Sequence, residues 1–158
     1  MAVISWSDEL SVGVHVIDAD HKMIIDLINQ LADEVDGNHD ADIVGSVLSA
    51  LYDYTDFHFC REEALMEACG YEALPQHRKV HDALRGRVRE IRDLHAANPT
   101  MILDEDLMEF MTEWLIKHIM GHDKNYAPDM KGKERQIAEA HRAFIQQDSM
   151  APSADATE

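Results

Sequence analysis

A helical apolar period runs through four successive segments of this chain, and in each of them histidine interrupts it. Residues 19–36 place Ile24, Leu27, Ile28, Leu31 and Val35 on one face, and Gly37 offers a stop, with the three- and four-residue spacing of an amphipathic helix. Residues 41–68 do the same with Val44, Val47, Leu48, Leu51, Thr55, Leu65 and Met66, before Gly70. A third helix opens at Pro75, carries Leu84, Val88 and Ile91, and stops at "ANP", 97–99; proline suits a first turn, where its missing N–H costs nothing. The fourth, 103–121, shows Leu103, Leu107, Met111, Trp114 and Leu115. No alternating strand pattern competes. Four such helices joined by short loops predict an all-α fold, an up-down-up-down antiparallel four-helix bundle. Residues 131–147 read as a shorter C-terminal helix, and the end, "DSMAPSADATE", as a disordered tail. The expected division is a bundle at 1–130 and an extension at 131–158.

The interruptions carry the chemistry. His21 lies on the face of Ile24 and Ile28; His58 and Glu62 continue the stripe of Leu51 and Thr55. His77 and His81 precede Leu84 and Val88, and His118 follows Met111 and Trp114. One buried histidine is ordinarily a hydrogen-bonded core residue. Five imidazoles and a carboxylate in one small core are different, because each unpaired buried group costs roughly 1–3 kcal/mol. Shared metal coordination removes that cost. Five histidines exceed the needs of one tetrahedral ion and suit two six-coordinate ions. Two neighbouring dications repel, and neutral imidazoles do not offset this, so anions able to reach both ions are needed. Glu62 is one.

The stretch "HIMGHD", 118–123, offers two partners for His118: His122 and Asp123. A second anion is worth more here than another neutral donor, so Asp123 is the expected ligand. Five residues along a regular helix is about 140° off-face, against about 40° for four, so a π-type or frayed turn is predicted, eased by Gly121. His122 is then a surface or outer residue, and Glu63, beside Glu62, points outward as a solvated charge. Imidazole and carboxylate ligands leave zinc, manganese, copper and iron all open.

The ordered set His21, "HFCRE" (58–62), "HRKVH" (77–81) and "HIMGHD" (118–123) resembles the ligand signature of the hemerythrins, in their bacterial single-domain form. "VGVHVIDADHK", "GY" at 70–71 and "EWLIKHIMGHDKNY" agree, so the likeness spans about residues 6–126. The resemblance implies reversible dioxygen binding at a non-haem di-iron centre. His77, His81 and His118 would hold one iron, and His21 and His58 the other, which keeps a position for oxygen. Glu62, Asp123 and an oxo or hydroxo group would bridge them. Ile24, Phe59, Trp114, Leu115 and Ile119 match positions lining the family's oxygen pocket, and Tyr126 matches a tyrosine after the last ligand.

Storage, delivery or scavenging of oxygen is the leading reading, with no enzymatic role. An oxygen or redox sensor acting on a protein partner through residues 131–158 is the second; slow peroxide or nitric oxide turnover is the third. Ferritin-like and oxygenase sites on bundles use Glu-x-x-His pairs, and this chain has none, which favours a binder. The formal net charge of −17 argues against nucleic acid and anionic membrane partners. No stretch approaches 18 apolar residues, and the start lacks a signal-peptide pattern; with Cys60 and Cys69 too far apart on one helix to be bridged, a cytoplasmic protein with free thiols is expected.

Overall fold

The computed structural model describes residues 4–37, 39–100 and 105–150. Its main helices are α1 (His15–Asp36), α2 (Ala41–Ala68), α3 (Leu74–Ala97) and α4 (Glu105–Lys117). A π-helical turn, His118–Asp123, continues α4 into α5 (Lys124–Met130), and α6 (Glu134–Met150) follows. No strand occurs among the described residues. The architecture is the expected antiparallel four-helix bundle, with the fourth rod built from α4, the π turn and α5.

Local chemistry sets the ends. Asp40 caps α2, its carboxylate accepting from the Asp42 and Ile43 N–H groups at 3.0 and 3.2 Å. Gly70 follows α2 at φ +71°, a left-handed conformation that glycine adopts without a Cβ penalty. Pro75 sits in the first turn of α3.

Several boundaries differ from the sequence expectation. α1 begins at His15 rather than 19. Asp18 explains the extra turn: its carboxylate accepts from the Val12 N–H at 2.9 Å and the Ser11 hydroxyl at 2.6 Å, tying the incoming chain to the helix start. The fourth rod does not stop near 121; Pro128 is accommodated within α5, which ends at Met130. α6 extends to Met150, three residues into the segment expected to be a disordered tail. Residues 151–158 of that tail, and Leu103 of the fourth stripe, lie outside the described residues.

The apolar residues form two clusters. The larger contains Ile24, Ile28, Leu31, Leu48, Leu51, Phe59, Val88, Ile91, Met111 and Leu115. The smaller contains Val12, Val14, Ile17, Leu65, Met66, Leu74, Tyr126 and Met130. On each of the four rods the histidines predicted to face inward fall between residues of one cluster and residues of the other. α1 runs from Ile17 through His21 to Ile24, whereas α2 runs the opposite way, from Leu51 through His58 to Leu65. This alternation puts one polar layer across the bundle, sealed by apolar packing on both sides.

Candidate metal centre

His21, His58, Glu62, His77, His81, His118 and Asp123 are all buried, none more than 4% exposed. Their donor atoms fall into two groups. Glu62, His77, His81, His118 and Asp123 form one; His21, His58, Glu62 and Asp123 form the other, with all atoms of each group inside 4.8 Å of one another. The two carboxylates belong to both. Glu62 turns Oε1 to His77 (2.9 Å) and His81 (3.1 Å), and Oε2 to His58 (3.3 Å). Asp123 turns Oδ1 to His118 (2.8 Å) and His77 (3.2 Å), and Oδ2 to His21 (3.0 Å).

The spacing in the larger group is informative. A metal–donor bond of about 2.1 Å gives an octahedron edges of about 3.0 Å and trans separations of about 4.2 Å, whereas a tetrahedron has edges of about 3.4 Å. His81 Nε2 and His118 Nε2 are 3.1 Å apart, and four nitrogen–oxygen pairs lie at 2.8–3.2 Å. His118 Nε2 to Glu62 Oε1 is 4.0 Å, a trans-like pair. Five donors so spaced are compatible with an octahedral site, in which they would leave one position to spare.

Orphaned polar atoms agree. His21 Nε2, His58 Nε2 and both oxygens of Asp123 are buried and make no well-formed hydrogen bond among the described residues, despite their close neighbours. Donors that crowd at about 3 Å without aiming protons at one another fit a shared cation, which satisfies them together.

The electrostatics point the same way. Burial raises the Glu62 pKa, but the His58, His77 and His81 rings crowded against it outweigh this and hold the carboxyl well below its usual range. Asp123 is opposed by burial and by the charge of Glu62, yet His118 and His21 keep it ionised. Burial would lower His58, but the bond from its Nδ1 to Asp20 and the Glu62 carboxylate beside its Nε2 push it up to about 10. His77 rises to about 9 against the same opposition, through Asp123 and Glu62. The carboxylates thus demand positive charge, and a metal would displace protons from those rings.

The π turn places His118 and Asp123 on one side of the fourth rod, as their five-residue spacing requires. Gly121 is not its steric cause: it is absent from the left-handed glycines, and a Cβ there would meet nothing within 4 Å. His122 is exposed and belongs to neither donor group. Ile24, Phe59, Trp114, Leu115 and Ile119 are buried in the larger apolar cluster, and Phe59 stacks on His81 at 3.9 Å. Tyr126 donates its hydroxyl proton to Glu62 Oε2 at 3.0 Å.

One expectation is overturned and one residue was missed. Glu63 is not a solvated charge: its side chain is 14% exposed, and its Oε1 accepts from His81 Nδ1 at 2.8 Å. α3 packs along that flank of α2 and covers it with His81, Arg78 and Arg85. Asp20, which the sequence reading passed over, plays the matching part for His58, at 2.9 Å from its Nδ1. The available signal was chemical: a ring that offers Nε2 to a metal needs an acceptor for its Nδ1 proton.

Residues 12–130 match the model of the hemerythrin HHE cation-binding domain. The chain belongs to the hemerythrin family. It is 36% identical over 143 residues to a bacteriohemerythrin of Stenotrophomonas maltophilia, covering 90% of this chain and 92% of that one. It is 38% identical over 126 residues to a bacteriohemerythrin of Pseudomonas aeruginosa, covering 80% of each. A wild-type hemerythrin crystal structure superimposes with a TM-score of 0.77 at 31% identity, covering 83% of this chain and all of that one. The buried His, Glu and Asp cluster of this hemerythrin fits a metal site.

Proposed function

We propose that this hemerythrin binds dioxygen reversibly at a non-haem di-iron centre, with a storage, delivery or scavenging role. The observation that carries the reading is the sharing of Glu62 and Asp123, one oxygen of each in either donor group. His77, His81 and His118 would hold one iron, His21 and His58 the other, with the two carboxylates and a solvent-derived oxygen between them. When bound, a ferrous pair supplies the two electrons that dioxygen uptake requires.

The protein's own residues do the rest. The group around His21 and His58 has one donor fewer than its neighbour, which leaves it the position for an exogenous ligand. Ile24, Phe59, Trp114, Leu115 and Ile119, all buried in the larger apolar cluster, would line the approach, as the family resemblance implies, and would exclude water and reductants. Glu63 and Asp20 fix the His81 and His58 rings with Nε2 inward. Seven donors with only two carboxylates supply little negative charge, which favours binding over oxidation chemistry and supports a binder rather than an enzyme. No helix among the described residues is long and apolar enough to cross a membrane; together with two free thiols and the net charge of −17, this supports a cytoplasmic protein without nucleic-acid partners. Residues 1–130 would form the functional unit, and 131–158 an extension to it.

The test is optical. Iron-loaded protein under nitrogen should gain a visible charge-transfer band on admitting air and lose it on purging. A band that never forms with iron bound, or that forms once and does not reverse, contradicts carriage.

A further inference from the structure

α6 lies beyond the 12–130 span of the family match, yet it packs against α2 beside the donor layer. Lys133, just ahead of it, donates to the Cys69 carbonyl at 2.6 Å, at the end of α2. Further along, the Phe144 ring meets Phe57 of α2 at 5.2 Å. The Arg61 guanidinium lies 4.5 Å from the Phe57 ring and 5.9 Å from Phe144, and its side chain is only 11% exposed. Arg61 donates to Asp20 Oδ1 at 3.2 Å, and Tyr54 donates to the same oxygen at 2.7 Å. The other oxygen, Oδ2, accepts from His58 Nδ1 at 2.9 Å. A continuous set of contacts therefore runs from α6 to one imidazole of the centre.

The links differ in what they do. Asp20 decides which way the His58 ring faces, because one ring torsion moves Nε2 into or out of the donor group. Arg61 and Tyr54 fix the plane of the Asp20 carboxylate. Phe57 and Phe144 keep water from Arg61, and an ion pair shielded from water is held more firmly than an exposed one. The other half of the centre has its own outer anion, Glu63, held from α3 by Arg78 and Arg85.

We propose that α6 is a positioning element of the metal centre: through Phe144, Arg61 and Asp20 it holds His58 in its donor orientation, and so supports the His21–His58 half selectively. The proposal rests on the two-metal reading above.

The experiment titrates the full-length, metal-stripped chain with iron(II) alone, under nitrogen, against a competing chelator. Wild type should take up two ions. Phe144→Ala and Arg61→Gln should weaken one of them about tenfold or more, the cost of losing support outside the ligand shell, and leave the other within about twofold. Arg61→Lys should recover most of the loss, and Arg135→Ala, on the exposed side of α6, should change nothing. Two ions held with wild-type affinity in both test variants overturn the proposal. So does equal weakening of both ions at undiminished helicity, which would mean general damage. If Phe144→Ala loses helicity, Arg61→Gln decides alone, since it leaves the aromatic packing in place. A wild type that takes up a single ion overturns the two-metal reading, and this proposal with it.

Discussion

Replacing Glu63 by alanine asks whether the acidic residue beside a ligand is part of the centre or only surface charge. Its Oε1 is 2.8 Å from His81 Nδ1, with a side chain 14% exposed, so the bond is charge-assisted and largely sheltered. Removing it frees the His81 ring to rotate and strips the acceptor that keeps Nδ1 protonated and Nε2 available. Loss of such a partner ordinarily costs about 10–100-fold in metal affinity, or about 1.4–2.7 kcal/mol. The loss should fall on the ion that His77, His81 and His118 are proposed to hold. Glu63→Gln keeps an acceptor oxygen and should lose only severalfold. The assay is competition with a chelator of known affinity, followed at both binding steps. Affinities within twofold of wild type for Glu63→Ala would refute the reasoning and return Glu63 to the solvent.

Iron per chain after purification should fall steeply in His77→Ala and Glu62→Ala and stay near wild type in His122→Ala; if His122→Ala empties the site while Asp123→Ala does not, the ligand in "HIMGHD" is misassigned. Gly121→Ala should keep full metal content and cost no more than about 1 kcal/mol in chemical denaturation, because a Cβ there meets nothing; loss of metal would show that the π turn depends on glycine. For metal-stripped protein the pH dependence follows from His58 and His77, pushed up to about 10 and about 9. Both folded values exceed the unfolded value of about 6.5, so their stabilisation is complete below that pH and is lost as pH rises through 9–10. The thermal midpoint of stripped protein should fall over that interval, and a rise would contradict the assigned partners.

The bundle was legible because apolar spacing survives in every helix, and the gathering of the candidate donors because polar residues break that spacing at facing positions. The π turn was legible for a related reason: His118 and Asp123 have to face one way, and a regular helix cannot do this over five residues. Boundaries were less so. The start of α1 depends on Asp18 bonding to Ser11 and Val12, a contact that periodicity does not encode. The angle of Glu63 on α2 does not reveal its burial, because α3 decides whether that flank meets solvent. Asp20 was missed because its part is defined by His58, thirty-eight residues away. Part of the reach of α6 along α2 is Phe144 meeting Phe57, and neither stands out in its own helix.

The most direct test is anomalous diffraction at the iron edge from crystals of the loaded protein. Two peaks per chain are expected, roughly 3.5 Å apart, one beside His77, His81 and His118, the other beside His21 and His58, with Glu62 and Asp123 reaching both. A lone peak, or two too distant for one carboxylate to span, would contradict the account.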